Sequence, residues 1–156
     1  MRWLSALFVS VLLTASTFAA DSALVRVWPR WVNAEDFDRI GQYFGQSESD
    51  RRELVLRTHA EERAGLYFLV RLKGEASAPA AQIVVEVIRP DAPEPKRFTF
   101  PVTLSAKRRV VEVGLTGADW PGGRDAHPVA WKLSLLDAAG NVLASEQSFL
   151  WASPTK

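Results

Sequence analysis

The 156-residue chain contains no cysteine. That absence removes disulfides, thiolate metal sites, thiol catalysis and redox exchange, and it excludes a lipid-modified N-terminal cysteine. Much smaller exported domains usually lean on disulfides, so here packing alone must hold the fold. Histidine is nearly as scarce, with only His59 and His127. Neither Asn33 nor Asn141 has a hydroxyl residue two positions on, so there is no glycosylation sequon. No Gly-x-Ser-x-Gly elbow, phosphate loop, dinucleotide fingerprint or internal repeat occurs. Net charge is lacking too. Without Arg2, the 19 basic side chains fall level with the 18 acidic ones, so no global field attracts nucleic acid or an anionic membrane. The short basic clusters Arg51-Arg52 and Lys107-Arg108-Arg109 have acids nearby and read as solvated loops.

What is present begins with Met1 to Ala20, which has the build of a secretory signal peptide. Arg2 gives a positive start, Leu4 to Leu13 is apolar except for Ser5 and Ser10, and Thr14 to Ala20 supplies the small residues of a cleavage region. Cleavage after Ala19 places Thr17 at the −3 position; cleavage after Ala20 would place bulky Phe18 there. The competing reading is an uncleaved anchor, against which the shortness of the run and its hydroxyls count. The expectation is export to a periplasmic or extracellular location, most simply a bacterial envelope, without stable membrane insertion after cleavage. Residues 21–152 then form one domain and residues 153–156 a short tail.

A closing β-hairpin, Val129 to Trp151, organises that domain. Val129, Trp131, Leu133 and Leu135 share one face, Asp137 to Asn141 turns the chain, and Gly140 is free to take positive φ. Val142 and Ala144 follow one parity while Phe149 and Trp151 follow the other, which predicts a bulge near Ser145 to Gln147. Such a hairpin cannot bury its apolar face alone and calls for a facing sheet.

Upstream, Asp21 to Trp28 alternates as a strand that Pro29 is expected to end. Asn33 as N-cap, Asp36 at N3, and Val32 with Phe37 as a hydrophobic staple predict an amphipathic helix from Ala34 to Phe44, closed by Gly45. Leu54 to Leu56 begins a short strand. Leu66, Phe68, Val70 and Leu72 then share a face, as do Ile83, Val85 and Val87, although Val84 and Ile88 suggest a covered outer face. Pro90 to Pro95 reads as a stiff connection unable to continue a ladder. Phe98, Phe100 and Val102 follow on an edge-strand candidate, Arg97 to Leu104, and Val111, Val113 and Leu115 align on the next strand. These signals predict an all-β fold, an antiparallel two-sheet sandwich with one short amphipathic helix after the first strand. The pattern resembles immunoglobulin-like and fibronectin-III-like modules over most of the chain, without the antibody-domain disulfide and with the helix as an addition.

Chemistry has little to draw on. His59 with Glu61 and Glu62 could hold a metal but reads first as a turn. Asp119, Asp125 and His127 share a Gly-rich loop that lacks the alternating ligands of an EF-hand. No catalytic, cofactor or metal residue is assigned, and the chain is not expected to be an enzyme; a hydrolytic or metal-assisted site at His127 and Asp125 is the minor alternative. Tryptophan is the unusual feature. Trp131 follows the core parity of its strand and Trp151 is expected at the sandwich end. Trp28, Trp31 and Trp120 lie at strand ends or in loops beside prolines, where rings either plug the fold or present a contact surface. They form the candidate ligand or partner surface. The expected function is a non-catalytic interaction or structural module whose partner is an envelope protein, the alternative being a carbohydrate-binding module that stacks a glycan on those three rings.

Overall fold

The computed structural model describes residues 24–37, 53–72, 82–103 and 110–152. The expected signal peptide, the part of the expected helix beyond Phe37, the basic clusters at 51–52 and 107–109, and the tail at 153–156 lie outside them. No helix among the described residues is long and apolar enough to cross a membrane.

The described chain is mostly β. Eight strands run in order: β1 (Leu24–Val32), β2 (Glu53–Arg57), β3 (Gly65–Leu72), β4 (Gln82–Arg89), β5 (Ala92–Pro101), β6 (Val110–Thr116), β7 (Ala130–Leu136) and β8 (Val142–Gln147). They form two four-stranded sheets, ordered β1-β3-β6-β2 and β5-β4-β7-β8. Alternation puts one side chain in two on the inner face of each sheet. Leu66, Phe68 and Val70 of β3 and Val111, Val113 and Leu115 of β6 meet Ile83, Val85 and Val87 of β4 and Leu133 and Leu135 of β7 in one core. Each fully buried large side chain contributes roughly 1.5–3 kcal/mol. Phe68 and Trp131 join the sheets edge to face, with ring centroids 5.6 Å apart.

One ladder departs from the antiparallel expectation: β2 runs parallel to β6. The link from Thr58 to Ala64 carries the chain over the end of β6, so β2 and β3 flank that strand like a split hairpin. Thr116 pins the link. It is fully buried, its N–H donates to Thr58 Oγ1 at 3.0 Å, and its own Oγ1 accepts the His59 N–H at 3.0 Å.

Proline does not end strands where expected. Pro29 lies inside β1 opposite Phe68, and Pro93 and Pro95 lie inside β5, the turn before it being only Pro90-Asp91. Both strands are sheet edges, where a missing N–H leaves no ladder bond unmade. A bulge between Leu24 and Arg26 puts Leu24 and Val27, three positions apart, both in the core.

In the closing hairpin, Trp131, Leu133 and Leu135 are buried as expected, but Val129 precedes the strand and is exposed. The irregularity of β8 falls between Val142 and Ala144 rather than at Ser145 to Gln147. The parity change at Phe149 has another cause, a helical turn over Phe149–Ala152. Gly140 takes φ +86°, and Asp137 accepts from the N–H groups of Ala139 and Asn141 and from Asn141 Nδ2. The Asn141 side chain and backbone N–H, above all, hold the Asp137 carboxyl below the usual carboxylate range.

Residues 34–37 are helical. Asp36 Oδ2 accepts the Asn33 N–H at 3.0 Å, the return half of a capping box. Val32 and Phe37 meet as the staple requires, packed with Tyr67 and Val55 in a second apolar cluster on the outer face of the first sheet.

Candidate functional site

Three regions carry the side chains that bear on function. The first is the loop between β6 and β7. It leaves β6 through a single 3-10 turn, Gly117–Asp119. Gly117 has φ +55°, and the Glu62 carboxylate fills the space a Cβ would need. The turn aims Asp119 at two basic side chains from different parts of the chain. Lys96 Nζ of β5 lies 2.6 Å from Oδ1, and His59 Nε2 of the β2–β3 link lies 3.2 Å from Oδ2. Burial works to raise the Asp119 carboxyl, but hydrogen bonding and charge from Lys96, with smaller help from Thr58 and His59, outweigh it and hold the group below its ordinary value.

Beyond Asp119 the chain drops inward. Trp120 is 3% exposed and belongs to the core. Its indole N–H has no hydrogen-bond partner among the described residues. Over it lies a cleft of about 200 Å³ lined by Arg89, Pro90, Asp91, Trp120, Pro121, Gly122 and Ala126. Arg89 braces the rim, its Nε 3.2 Å from Asp91 and its Nη1 donating to the Asp119 carbonyl at 3.3 Å.

The second region adjoins the first. The Val129 N–H donates to the Ile88 carbonyl at 2.9 Å, just before the Arg89–Asp91 rim. Ser148 pairs with Trp131, its N–H donating to the Trp131 carbonyl and its Oγ accepting the Trp131 N–H. The helical turn that follows therefore sits beside the entry to β7. At this end of the second sheet Phe149 is 85%, Leu150 56% and Val129 46% exposed.

The third region is the outer face of β1. Trp28 is 38% exposed, with the Arg26 guanidinium 4.0 Å from its ring centroid. Two residues on, Arg30 reaches across β3 to the buried Glu112 at 2.6 Å. Trp31 points the other way, half-buried against the core, and its indole N–H donates to Asn33 Oδ1 at 2.8 Å.

Trp28, Trp31 and Trp120 therefore do not gather: one is on the outer face, one at the core margin and one inside. Asp125 and His127 are exposed, with no hydrogen bond or ion pair between them. Among the described residues no group of three or more His, Asp or Glu converges on a possible metal position. Asp119 turns from the proposed loop cluster toward His59 and Lys96, partners distant in sequence. The apolar end at Phe149 and Leu150 was hidden because strand parity assigned Phe149 to a strand face. Comparisons with protein families, curated proteins and solved structures find no match to this chain.

Proposed function

We propose that the chain is an exported, non-catalytic β-sandwich module of the immunoglobulin and fibronectin-III type, acting in protein–protein interaction or envelope structure. Strand order supports the fold assignment. Taking β1, β3 and β6 as strands A, B and E, and β5, β4, β7 and β8 as C′, C, F and G, these seven strands follow the immunoglobulin order. The exception is β2, which takes the place of strand D but comes from between A and B and runs parallel to its neighbour. Antibody domains bridge strands B and F with a disulfide. Here the same two strands are bridged by Phe68 against Trp131.

The observation that carries the interaction reading is the apolar end of the second sheet. Phe149, Leu150 and Val129 keep large apolar surface in water beside the Trp120 cleft. Such a concentration marks a contact surface more readily than a packing need. The test is in-cell cross-linking followed by mass spectrometry of captured partners. A recurrent envelope partner is expected with the wild-type chain and is lost with Phe149→Ser/Leu150→Ser. A wild-type protein that stays monomeric and captures no partner removes the reading. Cell fractionation with N-terminal sequencing tests export, which predicts a product beginning at Ala20 or Asp21.

A carbohydrate-binding role is the second reading, resting on Trp28 alone as an exposed ring. It requires a change in Trp fluorescence on glycan addition and weaker binding in Trp28→Ala; an unresponsive glycan array ends it.

A further inference from the structure

We infer that the outer face of the first sheet, at Arg26, Trp28 and Arg71, docks an acidic segment of a partner protein. This inference rests on the reading of the chain as an interaction module and names the chemistry of what it binds.

Arg26 of β1 and Arg71 of β3 are directly opposed in the ladder, and both are exposed. Residues so opposed stand about 4.5–5.5 Å apart at Cα, which sets two full positive charges face to face. Like charges directly opposite destabilise a sheet, so the opposition of Arg26 and Arg71 is itself a cost to folding. Neither arginine has a carboxylate partner among the described residues. Glu112, the carboxylate that β6 places on this face, is buried and taken by Arg30. Two guanidiniums are thus left for an acid that the described residues do not supply.

Trp28 sharpens the geometry. Its ring lies under the Arg26 guanidinium, which holds the cation at this place on the face while its N–H donors have no carboxylate partner among the described residues. The guanidinium fork matches the two oxygens of a carboxylate. A ring already covered by a guanidinium is a poor sugar platform, which counts against a glycan here. Among the described residues Trp28 is the one large apolar side chain on this face that is well exposed, too little to insert into lipid. With basic and acidic side chains in balance over the whole chain, attraction must be local, as it is for a short acidic stretch of protein.

The test is fluorescence anisotropy of the purified protein with a labelled oligo-glutamate peptide, at low and high salt. Binding that weakens with salt is expected, and Arg26→Gln/Arg71→Gln should weaken it about tenfold. Trp28→Leu should weaken it less, and Arg97→Gln, an exposed cation of the other sheet, should leave it unchanged. The thermal midpoint of Arg71→Gln, which keeps the Arg26–Trp28 contact, should equal or exceed that of the wild type, because a repulsion has been removed. Absence of peptide binding at low salt overturns the inference, as does undiminished binding by the double variant or a fall in the Arg71→Gln midpoint. Preferential binding of a sulfated oligosaccharide or of phosphatidylglycerol vesicles overturns it as well. Partner capture through Phe149 and Leu150 is independent of all these outcomes, so the two readings fail separately.

Discussion

At the scale of single residues, Asp119 does more than its place in a Gly-rich loop announces. It ties the β2–β3 link, through His59, to β5, through Lys96, and so clamps the loop that covers Trp120. Its folded pKa lies below the unfolded value. The stabilisation is therefore complete above about pH 5 and is lost as pH falls through the lowered folded value, beneath the unfolded reference of about 3.9. Asp119→Asn should cost about 1–2 kcal/mol in urea unfolding at pH 7, and the gap to wild type should close near pH 2; an equal gap at both values would contradict the clamp. Tyr67 is a second residue whose surroundings decide its role. It is fully buried on the outer face of its sheet, its hydroxyl donating to the Arg63 carbonyl at 2.6 Å and accepting from Arg57 Nε at 2.8 Å. Its ring lies on Gly114, where a Cβ would fall 2.5 Å from Cε1. Gly114→Ala should cost about 1–3 kcal/mol, and much less in a Tyr67→Leu background, as a double-mutant cycle by chemical denaturation would show. Neither role was legible in the sequence. Alternation says which face a side chain takes but not what it meets there: the partners of Asp119 lie 23 and 60 positions away in the chain, and Tyr67 meets Gly114 on a neighbouring strand.

At the scale of elements, alternation located the core faces of β3, β4, β6 and β7, because a residue in the middle of a buried strand has no other way to point. The ends escaped it. Val129 lies one residue before its strand, Phe149 one turn beyond, and at those positions parity no longer constrains direction. Proline misled for a related reason: a missing N–H forbids a central strand but costs an edge strand nothing. The prolines of β5 also have a use. With Pro93, Pro95, Lys96 and Arg97 on its outer edge, β5 is a poor template for another strand. Pro93→Thr/Pro95→Thr should leave the fold intact by circular dichroism yet raise concentration-dependent association in light scattering. A variant as monodisperse as wild type would show that the charges alone guard this edge.

At the scale of the whole molecule, the absence of cysteine becomes an energetic statement. In a sandwich the two sheets share no backbone hydrogen bonds, so what joins them is side-chain packing across the core. Phe68 of β3 and Trp131 of β7 make one such contact across it, edge to face. A disulfide acts largely by restricting the unfolded chain; the aromatic contact acts only in the folded state, so it is lost entirely when the sheets part. Trp131→Ala should therefore cost about 3–5 kcal/mol. That is a large share of the 5–15 kcal/mol available to a domain of this kind. With one core common to both sheets, the loss should fall on the whole domain rather than on one sheet. Far-UV circular dichroism and the fluorescence of the remaining tryptophans should then report the same lowered urea midpoint, with the m-value unchanged. Two separate transitions would instead mean that the sheets hold themselves together independently, and that the Phe68–Trp131 contact decorates the interface rather than securing it.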